Sequence, residues 1–410
     1  MDKVKKIFLI SVPLSICNFR CHYCYLAQRA ECYQGVQPQM KYTPEEFARA
    51  FRQERVGGPA YFNFCADGET LLTKDIDRYL KAVVQQGHYV EVVSNMTVTP
   101  MLNKILSWEP ELLKHVEFKC SFHYLELKKK NLLDTFARNV NAVWNAGASA
   151  NIEITPSDEL IPYIDEVKAF SMEHFGALPH LTIARNDNDD HITRLTKLDL
   201  ASYEQVWSQF HSSFWEYKSS IFGKKQTGIC YAGKWSLFIN MATGQAKQCY
   251  CGKSLGDIIA DPDSPLPEEP IYRCPLPHCY NGHALMTLGL VPNGTDVRYG
   301  DIRNRVREDG SEWLQPELKA FFNSTCVESN RELTLPQRAY CESKFLLSYV
   351  PRGFRKIRRI SESLLHRVSR SASHLFSRYP PKKQSFLPVS LLFRENYGMM
   401  LLSFCKGMLF

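Results

Sequence analysis

The stretch IFLISVPLSICNFRCHYCY, residues 7–25, decides the fold of this chain. It opens with Ile7–Val12, a run of almost entirely large apolar residues that is typical of a strand buried on both faces. Three cysteines follow at positions 17, 21 and 24, in the spacing C-x3-C-x2-C. Because so short a loop brings three thiolates together, the segment predicts a buried strand that leads into a metal-binding loop. Residues 13–25 are called the cysteine loop below.

Short β-rich runs and longer helical runs alternate from this strand to about residue 185. The strand candidates are Ile7–Val12, Ala60–Phe64, Val90–Val93, Val116–Phe122, Ala150–Ile154 and Leu181–Ala184. Helices are predicted near Thr43–Arg55, Lys74–Gln86, Pro100–Ser107, Asn131–Ala146 and Ser157–Phe175. Strands separated by helices of crossover length predict an α/β fold with a parallel sheet, either open or curled into a partial barrel.

Residues able to carry chemistry come directly after the first four strand candidates. The cysteine loop follows the first, Asp67–Glu69 the second, Ser94-Asn95 the third and His123 the fourth. Because the carboxyl ends of parallel strands lie on one edge of a sheet, we expect these residues to share one active site. Taken singly, an Asp-Gly turn or a helix cap would also explain them.

The cysteine content favours metal binding in a reducing compartment. Nine of the fourteen cysteines bunch at 17–32 and 230–279, whereas disulfide scaffolds are usually short, secreted chains. Cys65 and Cys120 sit in strand runs, and we expect them to pack in the core. The basic, apolar N-terminus resembles a signal peptide, but Pro13 interrupts it and a buried strand explains it better. No apolar run reaches about 20 residues, so no transmembrane helix is expected and the predicted location is the cytoplasm.

The net charge of +7 comes from the end of the chain. Residues 351–410 contain 12 Lys and Arg against 2 Asp and Glu, and the remaining residues carry 38 against 41. Apolar residues recur there at helical spacing between basic ones, which predicts a basic amphipathic helix. Such a tail would suit an anionic membrane surface, an acidic partner or packing on the protein itself, with nucleic acid less favoured.

The cysteine loop resembles that of the radical S-adenosylmethionine (SAM) superfamily, whose signature is C-x3-C-x-aromatic-C. The segment Asn63–Leu72 resembles the glycine–glycine–glutamate motif of that superfamily, with Asp67 in place of one glycine. The resemblance covers roughly residues 7–185 and implies a partial (β/α)6 barrel that uses a [4Fe–4S] cluster and SAM. It implies that the cluster is held by Cys17, Cys21 and Cys24, and that SAM is contacted by Tyr23, Asp67, Gly68, Glu69, Ser94, Asn95, Ser121 and His123. A zinc site that adds His22 or Cys32 is the alternative.

A second cysteine-rich region begins at Cys230. Cys230-x13-Gly244-x4-Cys249 resembles the opening half of the SPASM and Twitch auxiliary-cluster signature, and the residues between predict a hairpin with Gly244 in the turn. The closing half of that signature is replaced by Cys274-x4-Cys279-x3-His283. The resemblance implies an auxiliary [4Fe–4S] cluster held by Cys230, Cys249, Cys274 and Cys279, with Cys251 as the main competitor. A zinc knot of Cys274, Cys279 and His283 is the alternative.

These interpretations divide the chain into a core (1–190), an auxiliary domain (220–300), a helical extension (301–350) and a basic tail (351–410). The resemblance implies an oxidoreductase that cleaves SAM reductively to a 5′-deoxyadenosyl radical and abstracts a hydrogen atom from a peptide or protein. It also implies a reductant such as flavodoxin or ferredoxin. Dehydrogenation or epimerisation of a sugar or another small molecule is the alternative within the superfamily. A zinc-stapled, basic nucleic-acid-binding protein is the rival from another class.

Overall fold

The computed structural model describes residues 6–28, 33–225, 230–281 and 298–324, with isolated positions between 335 and 347. The chain divides into two compact units, Met1–Cys341 and Glu342–Phe410. The predicted basic tail, most of the extension after residue 324, Cys32 and His283 all lie outside the described residues. Within the described ranges, no helix is both long enough and apolar enough to cross a membrane.

The described part of the first unit is organised by one open sheet with the strand order β6-β5-β4-β3-β2-β1-β7-β8-β9. β1 to β6 run parallel to one another, as the alternation of strands and helices predicts. The strands are β1 (Ile7–Val12), β2 (Tyr61–Ala66), β3 (Tyr89–Ser94), β4 (Val116–Ser121), β5 (Ser149–Ile154), β6 (His180–Leu181), β7 (Ser236–Asn240), β8 (Gln245–Lys247) and β9 (Ser254–Asp257).

Helices fill most of the connections between the parallel strands. They are α1 (Pro44–Ala50), α2 (Gln53–Val56), α3 (Ile76–Gln85), α4 (Thr99–Leu106), α5 (Pro110–Leu113), α6 (Tyr124–Lys129), α7 (Leu133–Asn145), α8 (Ile164–Phe175), α9 (Leu200–Trp207), α10 (Ser213–Ile221), α11 (Tyr299–Arg303) and α12 (Pro316–Asn323). The helix predicted from Ser157 starts later as an α-helix, because Pro162 lies in a 3-10 segment that precedes α8. The predicted helix start at Thr43 is confirmed: Thr43 and Glu46 form a reciprocal capping box.

The first strand is buried on both faces, as its sequence predicts. Phe8, Ile10 and Val12 belong to the large hydrophobic cluster shared with the flanking helices. Ile7 and Leu9 point to the other side, where a smaller cluster includes residues of α10, α11 and α12. This alternation follows from the period of two in a strand, and it places the cysteine loop directly after a well-anchored element.

The second cysteine-rich region extends the same sheet. β7 and β8 form the predicted hairpin, and Gly244 occupies the turn with φ +73°. A side chain at Gly244 would also meet the Asp257 carboxylate at 2.2 Å, so glycine is required there on two counts. β7 pairs in parallel with β1, which brings this region beside the strand that carries the cysteine loop.

Candidate active site

A cavity of about 390 Å³ lies at the carboxyl ends of the parallel strands. Its volume falls in the range of sites for small molecules and cofactors. Its lining includes the three loop cysteines, Cys17, Cys21 and Cys24. It also includes every residue predicted to contact SAM, which are Tyr23, Asp67, Gly68, Glu69, Ser94, Asn95, Ser121 and His123. The tertiary structure therefore brings together all the predicted residues of the first site.

The thiols of the cysteine loop form one group. Cys17, Cys21 and Cys24 interact electrostatically with one another, and burial raises the pKa of Cys17 to about 11 and that of Cys21 further above its usual value. Arg20 holds the loop in shape, because its guanidinium donates to the carbonyl oxygens of Cys17 and Phe19. Cys17 and Cys21, with their raised pKa values, need a bound metal to become thiolates. Three thiols facing one cavity fit an iron–sulfur cluster with one open iron.

A site for a single metal ion would look different. Across the described ranges of the chain, no three His, Cys, Asp or Glu side chains converge on the position of one ion. Each thiolate of a [4Fe–4S] cluster binds a different iron atom, so cluster ligands need not converge in this way. Two groups of the zinc alternatives, Cys32 and His283, lie outside the described residues.

The segment Asp67–Glu69 packs backbone to backbone against the cysteine loop. The Glu69 amide donates to the Ile16 carbonyl oxygen at 2.9 Å. A Cβ atom on Gly68 would lie 2.1 Å from that oxygen and 2.9 Å from the Leu14 carbonyl oxygen. Gly68 is therefore required by close contact with the loop, since any side chain would push the two segments apart.

The Glu69 carboxylate ties the end of β2 to the end of β3. It accepts hydrogen bonds from the Leu71 amide (3.0 Å), the Ser94 hydroxyl (2.7 Å) and the Asn95 amide (2.7 Å). Burial raises the pKa of Glu69, and the three hydrogen bonds oppose that rise. Ser94 thus supports Glu69 directly, a structural role that accompanies its position on the cavity wall.

Asn95 connects the end of β3 to the cysteine loop. Its side-chain nitrogen donates to the Asn18 side-chain oxygen at 2.8 Å, and its side-chain oxygen accepts from the Thr97 hydroxyl at 2.6 Å. Asn18 in turn donates to Thr97 at 2.8 Å. This closed set of hydrogen bonds fixes the position of the loop relative to the neighbouring strand end.

Tyr23 and His123 form a hydrogen-bonded pair on the cavity wall. The Tyr23 hydroxyl lies 2.7 Å from His123 Nδ1, and the Phe19 ring packs edge-on against the same imidazole. Burial lowers the pKa of His123 to about 4, so the imidazole is neutral at physiological pH. The aromatic residue of the cysteine motif therefore holds a neutral histidine from the end of β4.

The floor of the cavity is a buried ion network that sequence reasoning missed. The Arg303 guanidinium contacts the carboxylates of Glu91 (3.2 Å), Glu117 (3.1 Å) and Glu153. Burial raises the pKa of Glu117 to about 7 in spite of the arginine. A sequence signal existed, since three of the apolar strand candidates each contain one of these glutamates. Nothing local indicated that one arginine on α11 binds all three carboxylates.

Two lysines and an aromatic wall also line the cavity and were not predicted. Lys119 on β4 lies 3.2 Å from Glu153, and Lys218 on α10 donates to the Thr182 hydroxyl. The Arg185 guanidinium lies between the rings of Tyr25 and Tyr280, 4.1 and 4.5 Å from their centres. Tyr25 follows Cys24 and Tyr280 follows Cys279, so Arg185 links the two cysteine regions.

Cys65, expected in the core, lines the cavity instead, whereas Cys120 is fully buried as expected.

The second cysteine region also forms one group of thiols. Electrostatic interactions join every pair among Cys230, Cys251, Cys274 and Cys279. Cys249 contacts this group through a hydrogen bond with Cys251. An antiparallel bridge between Cys230 and Tyr272 brings the start of the region next to its end. Four half-buried thiols from separate segments fit a cluster with four protein ligands.

Residues 11–116 match the family model of the Radical SAM superfamily. The match contains the cysteine loop and the motifs that follow β2 and β3, and it supports a [4Fe–4S] cluster and SAM as cofactors. No curated protein matches the sequence significantly.

Several solved structures are similar to this chain. SuiB of Streptococcus suis, solved with bound S-adenosylmethionine, is 16% identical; 68% of each chain is covered, with a TM-score of 0.44. The anSMEcpe structure with AdoMet and the Cp18Cys peptide is 14% identical, covering 62% of this chain and 78% of that one, with a TM-score of 0.46. BtrN in complex with AdoMet and 2-DOIA is 13% identical, covering 63% and 80%, with a TM-score of 0.29.

Proposed function

We propose that this protein is a radical SAM oxidoreductase that acts on a peptide or protein. The observation that carries the proposal is the convergence of Cys17, Cys21 and Cys24 with the ends of β2, β3 and β4 on one cavity. When bound, the [4Fe–4S] cluster would supply the electron for reductive cleavage of SAM to methionine and a 5′-deoxyadenosyl radical, the species that would take a hydrogen atom from the substrate. The reductant is a flavodoxin or ferredoxin, and the reducing compartment this requires is the cytoplasm.

The residues of the chain would bind and orient the cofactors. The three loop thiolates would hold the cluster and leave one iron open. Glu69, held in place by three donors, would attract the amino group of SAM, and the polar groups of Asn95, Ser121 and Asp67 line the same wall. The neutral imidazole of His123 and the hydroxyl of Tyr23 would offer hydrogen bonds without adding charge.

We propose that the second thiol group holds an auxiliary [4Fe–4S] cluster. The sequence pattern assigns it to Cys230, Cys249, Cys274 and Cys279, with Cys251 as competitor. We favour Cys251 over Cys249 as the fourth ligand, since Cys251 interacts with each of the thiols of Cys230, Cys274 and Cys279. Tyr250 and Tyr280, which lie beside these cysteines, also line the cavity, so this region would shape the substrate site.

The test of the main proposal is formation of 5′-deoxyadenosine by the anaerobically reconstituted protein with dithionite and SAM. We expect product from the wild type and none from Cys17→Ala, Cys21→Ala or Cys24→Ala. Cys65→Ala is the matched control for iron content, because Cys65 lines the same cavity outside the cysteine loop. A colourless protein with stoichiometric zinc, or SAM cleavage by any of the three loop variants, would refute the proposal.

The test of the auxiliary cluster is the iron content of paired variants. Two clusters predict about eight iron atoms per chain in the wild type. We expect Cys251→Ala to retain about four and Cys249→Ala to retain about eight. The reverse result would identify Cys249 as the ligand. About four iron atoms per chain in the wild type would contradict the auxiliary cluster.

A further inference from the structure

Lys218 is a cation of the cavity to which the cluster and SAM assignments give no role. It lies on α10, outside the matched residues 11–116, and it lines the cavity. Its Nζ donates to the Thr182 hydroxyl and lies 5.0 Å from the centre of the Phe214 ring. Among the described residues no carboxylate forms a salt bridge with it, so its positive charge is balanced only at a distance.

The charges around Lys218 favour an additional anion. Glu153 attracts its ammonium group, while Lys119, Arg185 and Arg303 repel it. Glu153 is itself engaged by Arg303 and by Lys119 at 3.2 Å. Burial and these repulsions lower the pKa of Lys218 to about 7. An anion beside Nζ would stabilise the charged ammonium group against both the burial and the repulsion, because an opposite charge favours the charged form and accepts a charge-assisted hydrogen bond.

The position of Lys218 separates it from the residues assigned to SAM. Thr182, its partner, follows β6, whereas the residues assigned to SAM lie at the ends of β2 (Asp67–Glu69), β3 (Ser94-Asn95) and β4 (Ser121 and His123), four, three and two strands away. Neighbouring strands lie about 4.8 Å apart, so the end of β4 lies roughly 10 Å from Thr182 along the sheet. Lys218 and Thr182 therefore lie at the side of the cavity farthest from the Asp67–Glu69 motif.

We propose that Lys218 and Thr182 bind an anionic group of the substrate, a carboxylate or a phosphate. This rests on the proposed function, because it assigns the remaining part of the cavity to the substrate of that enzyme. An ammonium group donates up to three hydrogen bonds and a threonine hydroxyl donates one, which suits an oxyanion with several acceptor sites. The substrate class is thus narrowed to molecules or peptide segments that carry such a group.

The test uses the reconstituted full-length protein and two aldehyde probes, pyridoxal 5′-phosphate and pyridoxal, which differ by one phosphate. Imines formed with lysines at neutral pH are trapped with cyanoborohydride and quantified by peptide mass spectrometry. We expect the ratio of phosphorylated to unphosphorylated label to be at least about tenfold higher at Lys218 than at Lys129. Lys129 on α6 is the internal control, since its side chain is 73% exposed.

Competition by inorganic phosphate and by acetate identifies the anionic group. Protection of Lys218 by phosphate alone supports a phosphate-bearing substrate, and protection by acetate supports a carboxylate. Thr182→Val should reduce the preference for the phosphorylated probe. Equal ratios at Lys218 and Lys129, or no protection by either anion, would overturn the inference. SAM cleavage is measured separately: selective labelling without 5′-deoxyadenosine would refute the proposed function and leave the anion site standing.

Discussion

Replacement of Arg303 by methionine tests the ion network beneath the cavity. The Arg303 side chain is fully buried and contacts three carboxylates whose own exposure does not exceed 4%. Methionine fills much of the same space but leaves Glu91 and Glu117 without their cation and Glu153 with Lys119 alone. Removing one partner from a buried ion pair typically costs about 3–5 kcal/mol, and we expect the free energy of unfolding to fall by that amount.

The loss should depend on pH in a defined direction. Burial already raises the pKa of Glu117 to about 7, and without Arg303 the repulsion from the neighbouring carboxylates raises the pKa of Glu117 further. The folded variant then binds more protons than the unfolded chain, so its free energy of unfolding decreases as the pH rises. We expect a larger loss relative to wild type at about pH 8 than at about pH 5.5.

Urea unfolding at the two pH values, followed by circular dichroism and tryptophan fluorescence, measures this loss. Adding Glu117→Gln to Arg303→Met removes one uncompensated charge and should restore about 0.5–3 kcal/mol. Arg307→Met is the control, because Arg307 stacks on Trp144 at 3.8 Å and has no part in the network; its loss should be about 0.5–1 kcal/mol. A loss below about 1 kcal/mol for Arg303→Met, or an equal loss at both pH values, would refute the reasoning.

Three further predictions concern the cysteine loop, Glu69 and the tail. Gly68→Ala would place a methyl group 2.1 Å from a carbonyl oxygen of the loop, so we expect a destabilisation of about 1–3 kcal/mol and lower iron content after reconstitution. At Gly310, no atom other than those of its chain neighbours lies within 4 Å of an added Cβ, so Gly310→Ala has only the strain of its φ of +82° and should keep wild-type iron. Ser94→Ala removes one of the donors to buried Glu69 and should lower the free energy of unfolding by about 1–3 kcal/mol in urea; unchanged stability would contradict that support. A chain ending at residue 341 should keep its iron and lose any binding to anionic vesicles, whereas loss of iron would make the remainder part of the fold.

Local sequence patterns were sufficient for the parallel strands and for the location of the first site. The apolar run Ile7–Val12 predicted a strand buried on both faces, and the structure confirms it with the same bounds. Residues placed just after strands must meet at one edge of a parallel sheet, which is why the loop cysteines, Glu69 and His123 could be grouped in advance. The hairpin around Gly244 was predictable for a similar reason, since a turn and its flanking strands are encoded within a few residues.

Contacts between distant parts of the chain were decided only by the tertiary structure. Arg303 reaches Glu91 across 212 positions and Glu153 across 150, and no local pattern specifies which carboxylates one buried arginine will bind. The same holds for Lys218, which enters the cavity because α10 packs beside β6, and for Cys251, whose contacts depend on how separate turns fold against one another. Spacing along the sequence identifies the thiolates and the strands that carry them. The helices after the parallel strands carry Arg303 and Lys218, and their packing against the sheet decides which charged groups these two side chains contact.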